Sequence, residues 1–377
     1  MNLVVARRTS LSVFGAVLLS LTLASQVLAA SWNAPMALTS SGIAFAKGLG
    51  TDGASTALAL YMEHTPDMPD VGFAYRLKVR HSDNAGMSWD PPITLAESTI
   101  NADIAMRGDI VDVVWDNGNG NRIRYARSFD GGMSFGPSVA LSPTRKSAWN
   151  PSVARGPDGL VAVAWENLTT GVLKVRVSAD GGDTFAPEIN LANVAYDMGV
   201  EVAVGNGVIY VAYVEEDFNS LSMRRSTDEG SSWSLPIPIT GNVYSVREMF
   251  SLAAAGSVAY IAYAIETGSG GGSDVKYRRS TDMGASWAVE RSLSPVAWNS
   301  WEPNIELQGG VLRAVFTRRS PVTVFYRKSA DGVTWSTSEK VADDAVEGMV
   351  GFAGKAIALI RSSAGPDNEV FVTTRTP

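Results

Sequence analysis

The side chains of this chain that could act on a substrate are carboxylates, arginines and aromatic rings. Glu302 and Asp103 are the carboxylates best placed for acid/base work. Two carboxyls facing each other across a sugar ring can protonate a leaving group and activate water, or attack directly. Arg145, Arg247 and Arg318, with Lys146, Arg319 and Arg361 nearby, come from separate segments. Guanidinium groups converging from several directions suit a carboxylate or sulfate. Trp149, Tyr244, Trp298 and Trp301, together with Tyr196, offer flat apolar faces on which sugar rings can stack. Metal chemistry has little to draw on: the 377 residues include no cysteine and only His64 and His81, so no metal or other cofactor is expected.

These residues must be positioned by a repeated element. Arg127 to Phe135 contains Ser128-Phe129-Asp130-Gly131-Gly132-Met133-Ser134-Phe135, and the same pattern returns at Ser178–Phe185, Ser226–Trp233 and Ser280–Trp287. Ser82–Trp89 has Asn84 in place of the aspartate, and Ser329–Trp335 is one residue short. The pattern Ser-x-Asp-x-Gly-x-Ser/Thr-Trp/Phe reads as a turn. Its acidic or amide side chain accepts backbone N–H bonds, its glycine takes positive φ, and its aromatic residue folds back between strands. Asn84, Asp130, Asp180, Asp228, Asp282 and Asp331 are therefore expected to be structural, and one carboxylate per turn is too few for calcium.

The turns recur about every fifty residues, a period that predicts one four-stranded sheet per repeat and a propeller of such sheets. Between the turns lie seven apolar runs: Ala57–Tyr61, Ile110–Trp115, Val161–Trp165, Val208–Tyr213, Val258–Tyr263, Val311–Phe316 and Ala356–Ile360. Continuous apolar strands are expected where both faces are covered by neighbouring sheets. The last repeat stops near Thr376 where its turn should begin. Ser31-Trp32-Asn33-Ala34-Pro35-Met36-Ala37-Leu38 matches Ser88–Leu95, the close of a turn and an outer strand. The reading is an all-β, single seven-bladed β-propeller whose N-terminal strand closes the last blade, with a six-bladed ring as the alternative.

The repeat resembles the Asp-box, or bacterial neuraminidase repeat, of the sialidase superfamily. The resemblance extends over nearly all of the chain beyond residue 29 and implies that the turns lie away from the functional face. That face would be the opposite end of the ring, formed by the second-to-third and blade-to-blade connections. It carries the arginines and aromatics named above. The family's early Phe/Tyr-Arg-Ile-Pro motif has no counterpart between Gly42 and Leu60, and Tyr244 near Glu248 does not match its tyrosine–glutamate pair. The repeat architecture is thus carried over and the catalytic set is not. Family members have six blades, so seven is itself a departure.

Residues 1–29 read as a signal peptide: Arg7 and Arg8, an apolar run from Leu11 to Leu23, and Val27-Leu28-Ala29 at the cleavage site. The Asp-box propeller domain then occupies residues 30–377, with no membrane span after cleavage, and the protein is expected to be secreted or periplasmic and monomeric. A net charge of −7 argues against nucleic acid as a partner. The expected function is recognition of a glycan, with an acidic glycan suggested by the arginines, at the face opposite the turns. Hydrolysis in the manner of a sialidase-like glycoside hydrolase is left open. A lectin using the same mouth, a lyase using His64, and a non-catalytic assembly scaffold of the cell envelope are the alternatives. Asn167-Leu168-Thr169 is a glycosylation sequon without meaning in a bacterial export context.

Overall fold

A computed structural model describes residues 31–39, 43–64, 75–118, 122–143, 147–216, 220–240, 250–267, 272–296, 298–363 and 368–376. The expected signal peptide lies outside these residues. The described chain contains no helix; its strands form seven antiparallel sheets of four. Each sheet is one blade. The innermost strands are Ile43–Thr51, Ala102–Arg107, Ala148–Arg155, Val200–Gly205, Phe250–Ala255, Ser300–Gln308 and Ala345–Phe352. Each packs against the next around a central channel, and the seventh packs against the first. In the seventh sheet the fourth strand is Met36–Ala37, which pairs antiparallel with Val370–Thr374.

The second strands are apolar because blades cover both their faces. Val161–Asn167 and Val208–Val214 are buried at every position. Seven apolar clusters result, each shared between adjoining sheets. One of them joins Ala57, Ala59 and Tyr61 of the first blade to Ile357, Leu359 and Val372 of the last.

The six turns share one hydrogen-bond scheme. In the third blade Ser178 Oγ donates to Asp180 Oδ1 (2.6 Å) and accepts from Gly182 N (2.7 Å). Asp180 also accepts from Thr184 N (2.9 Å) and Thr184 Oγ1 (2.5 Å). In the first blade the amide of Asn84 reverses one bond, with Nδ2 donating to Ser88 Oγ at 2.6 Å. The hydroxyls hold the turn carboxyls below their usual range, bringing Asp130 to about 2 through Ser134 first and Asp282 to about 2 through Ser286 first. Each glycine is pressed on the preceding blade. Gly182 has φ +91°, and a Cβ there would overlap the Tyr125 hydroxyl. At the seventh position, Thr376 Oγ1 accepts from Ser31 N at 2.8 Å, as Asn84 Oδ1 accepts from Ser88 N at 2.9 Å.

An inner strand facing a channel has backbone N–H groups with no neighbouring strand to satisfy them. Side chains from the preceding blade take that place. Asp103 Oδ2 accepts from Val153 N (2.8 Å), Ser152 Oγ from Val202 N (3.1 Å), Ser251 Oγ from Ile305 N (3.1 Å) and Asn304 Oδ1 from Val350 N (3.0 Å). Glu306 ties three blades together. Its Oε1 accepts from Thr51 Oγ1 (2.9 Å) and Phe352 N (3.1 Å), and Arg313 lies 3.5 Å from its Oε2.

Burial pushes the Glu306 carboxyl up to about 7 against the pull of Arg313. A carboxyl whose folded pKa is raised stabilises the fold fully below its unfolded pKa and loses that contribution as pH rises through the folded one. Glu306→Gln should therefore gain about 3 kcal/mol relative to wild type between pH 4.5 and 7.5. Guanidinium unfolding of both proteins at the two pH values measures this, and parallel pH dependences would refute it.

Candidate functional site

The inner strands break step at one level, at the end of the channel away from the turns. The register shifts between Ala46 and Gly48, Trp149 and Ser152, Trp301 and Asn304, and Val346 and Met349. Each break is a bulge, which re-aims the extra residue's side chain. The extra residues are Lys47, Asn150-Pro151, Glu302-Pro303 and Glu347-Gly348. Proline suits two of these bulges because it has no N–H to leave unpaired. Asn150, Glu302 and Glu347 hold left-handed backbone, with φ of +49°, +48° and +53°. That conformation is unfavourable for a side-chain-bearing residue, and strain kept at one level of several blades is a mark of function.

These residues line a central cavity of about 370 Å³, together with Asn101, Glu201, Phe250, Ser251, Asn304 and Met349. On one side a polar relay crosses the blades. Lys47 Nζ donates to Asn101 Oδ1 (3.2 Å) and Asn101 Nδ2 to Asn150 Oδ1 (2.7 Å). Asn150 Nδ2 is 2.9 Å from both Glu166 Oε2 and Asp197 Oδ1. Asp116 anchors the relay from beneath, accepting from Asn101 N at 3.0 Å and Ile100 N at 2.9 Å. Burial raises its carboxyl against those bonds.

On the other side Glu302 Oε2 accepts from Glu347 N (2.9 Å) and Thr317 Oγ1 (3.2 Å). Its Oε1 makes no hydrogen bond among the described residues. Burial raises the Glu302 carboxyl against the hydrogen bond from Glu347 N, while the charge of the Glu347 side chain adds a smaller rise. Glu347 itself is held by Arg361 Nη2 at 2.6 Å. The result is a carboxyl with one oxygen fixed, the other available, and a bias towards the protonated form. Such a group can donate a proton to a bound oxygen.

The channel wall between these two sides holds a second acidic pair. Burial pushes Asp103 up to about 6. Burial, then the charge of Asp103, holds the Glu201 carboxyl well above the usual range. Two neighbouring carboxyls cannot both ionise cheaply, so the pair retains a proton near neutrality.

The sequence-predicted residues divide sharply. Glu302 is in the cavity. Asp103 is beside it, but its oxygens are committed to Val153 N, Ser152 Oγ (3.0 Å) and Ile104 N (2.8 Å), and Glu201 rather than Asp103 lines the space. Trp149 and Trp301 precede bulges without lining the cavity; the Arg319 guanidinium sits 4.4 Å over the Trp301 ring. Arg318 is held over Trp298 and Phe325, at 5.1 and 5.0 Å, and Trp298 packs on Phe325 with 4.6 Å between centroids. Arg318 and Trp298 therefore complete each other instead of meeting a ligand in the cavity. Arg145, Tyr244 and Arg247 lie outside the described residues. Asn84, Asp130, Asp180, Asp228, Asp282 and Asp331 all sit in the turns.

The described lining thus carries three carboxyl groups and one ammonium and no guanidinium, unlike an arginine-lined anion site. No group of three or more His, Asp or Glu side chains able to hold a metal is found among the described residues. His64 does not line the cavity either, its ring lying near Tyr75. Asn167 of the sequon is buried, and its Oδ1 accepts from Thr169 N and Thr170 N at 3.1 Å, so attaching a glycan there would undo the turn.

Sequence reasoning missed Glu201, Lys47, Asn101 and Asn150. Two signals were available. Glu201 is the one charge in the apolar inner strand Val200–Gly205. Trp149-Asn150-Pro151 and Trp301-Glu302-Pro303 repeat one tripeptide pattern at corresponding places in two blades.

No protein-family model matches this chain, and no curated protein sequence matches it. Solved structures do. The fold resembles that of the polysaccharide lyase Uly1, with TM-score 0.56 and 8% identity over 92% of this chain and 99% of that one. It also resembles the Hadza microbial sialidase Hz136, with TM-score 0.50 and 15% identity. That match covers 72% of this chain and 63% of the sialidase, so the chain spans less than two thirds of that enzyme's length. At such identities the likeness establishes a β-propeller and leaves the chemistry to the residues above.

Proposed function

We propose that this chain is an exported glycan-active propeller that binds a carbohydrate at the central cavity opposite the six turns and hydrolyses it, with Glu302 as the proton donor. The observation that carries the reading is the bulged level of the inner strands. Four blades there hold strained or re-aimed residues, and together with Asn101, Glu201 and Ser251 they surround one space with hydrogen-bonding groups. Carboxylates and amides around a cavity match vicinal sugar hydroxyls, which donate and accept at short spacing. The lining favours a neutral or amine-bearing sugar over an acidic one, because it offers carboxyl groups and amides and, among the described residues, no guanidinium. Glu201 is a further carboxyl in the lining, able to hydrogen-bond the bound sugar. The sialidase and the lyase that share the fold act on carbohydrates by name, which supports the substrate class. Export rests on residues 1–29, and the six turns are read as Asp-boxes.

Purified protein should be screened on a glycan array and against fluorogenic arabinosides, hexosaminides, uronides and sialosides. Turnover of a neutral or amino glycoside, lost on Glu302→Gln, is the expected result. Preference for sialosides or uronides would overturn the charge argument, and silence in both screens would overturn the glycan reading.

A further inference from the structure

At six junctions of the turn end a turn glycine packs on the preceding blade, and the seventh differs. Gly132 rests against Leu58 of the preceding blade, Gly284 against Tyr210 and Gly332 against Tyr260. Leu58, Tyr210 and Tyr260 each pair across the sheet with the residue before the turn serine: His81, Arg225 and Arg279. The residue of the sixth blade in that register is Arg313, opposite Lys328. No turn glycine covers it among the described residues. Instead a cavity of about 470 Å³ opens between the sixth and seventh blades, lined among others by Arg313, Tyr326, Lys328, Phe352, Lys355 and Arg375.

The lining is cationic over an aromatic floor. Arg313 is buried, with its guanidinium 3.9 Å over the Phe352 ring. Arg375 grips Glu339 with Nε at 2.7 Å and Nη2 at 3.0 Å. Arg313 is 3.5 Å from Glu306. Lys328 and Lys355 have no ion pair among the described residues, so four cations face two carboxylates. Tyr326 lines the cavity, and its hydroxyl makes no hydrogen bond among the described residues. A phenol hydroxyl at the cavity wall near Arg313 and Arg375 can donate to an anion held there. The volume falls within the range of small-molecule sites.

We propose that this cavity binds a small ring-bearing organic carboxylate, its anion held by Lys328, Lys355 and the Tyr326 hydroxyl and its ring resting against Phe352. The site is independent of the central cavity and lies at the other end of the ring. The test uses benzoate as the probe and benzamide as its uncharged counterpart, by isothermal titration calorimetry on the full protein at fixed ionic strength in sodium chloride. Benzoate should bind one per chain at least tenfold more tightly than benzamide. The Lys328→Ala/Lys355→Ala double variant, which alters only the cavity's lysines, should weaken it at least fivefold, and Tyr326→Phe should weaken it in the same direction. Glu302→Gln should leave it unchanged. Equal binding of the two probes, no binding, wild-type affinity in the lysine variant, or loss in Glu302→Gln would each overturn the proposal.

Discussion

Glu302→Gln should lower turnover of the bound glycoside by at least about 100-fold while leaving the fold intact. Glutamine keeps the volume and still offers an oxygen to Glu347 N and Thr317 Oγ1, the two bonds that fix Glu302 Oε2. What it cannot do is release a proton from the oxygen left free. Because burial raises the Glu302 carboxyl, the protonated donor persists above the ordinary glutamic acid range. Activity should therefore fall on the alkaline side, as pH rises through that raised pKa. Thr317→Val removes one bond to the ionised form and should move this limb further up in pH, with a smaller loss of rate. The pH–rate profiles of the three proteins are the measurement. An unchanged profile in Thr317→Val alongside full activity in Glu302→Gln would remove Glu302 from the chemistry.

Arg155→Ala should cost about 3–5 kcal/mol of stability, the largest single loss expected in the chain. Arg155 in the third blade meets Asp112 in the second through Nε at 2.5 Å and Nη2 at 2.9 Å, and the two side chains are 3% and 0% exposed. Tyr125 Oη donates to the same carboxylate at 2.5 Å, and Arg155 Nη2 also reaches the Gly181 carbonyl of the third turn at 2.9 Å. Alanine would leave a buried carboxylate with only a phenol for company. The double variant Asp112→Asn/Arg155→Met should recover a large part of the loss, since no uncompensated charge remains. Denaturant unfolding of the wild type and the two variants is the measurement. A single-variant loss under about 1 kcal/mol would place the pair with ordinary exposed salt bridges.

Most of the fold was legible because it is written by patterns that depend on near neighbours. Val161–Asn167 is apolar throughout since blades cover both faces, and the turn from Ser178 to Phe185 closes on its own side chains. The site was legible only in part. Glu302 stands out as an acid before a proline at the channel mouth. Asp103 looked equivalent, but its carboxylate is consumed by Val153 N on the next blade, a contact that no local pattern announces. Arg318 was read as an anion ligand, whereas its position is set by Trp298 and Phe325, which meet it only when two strands of the sixth blade and the connection before it come together. The bulges at Lys47, Asn150, Glu302 and Glu347 decide which side chains enter the cavity, and a bulge is a property of paired strands and not of one segment.

The bulges occur in four inner strands, and no register shift appears at that level in the strands starting at Ala102, Val200 and Phe250. Seven copies of one sheet therefore surround a single asymmetric centre. On the proposed reading the glycan valency at that centre is one per chain, so a monomer should not agglutinate cells or precipitate a branched polysaccharide. On that reading the chain works on one glycan molecule at a time, and any clustering must come from how many copies are displayed together.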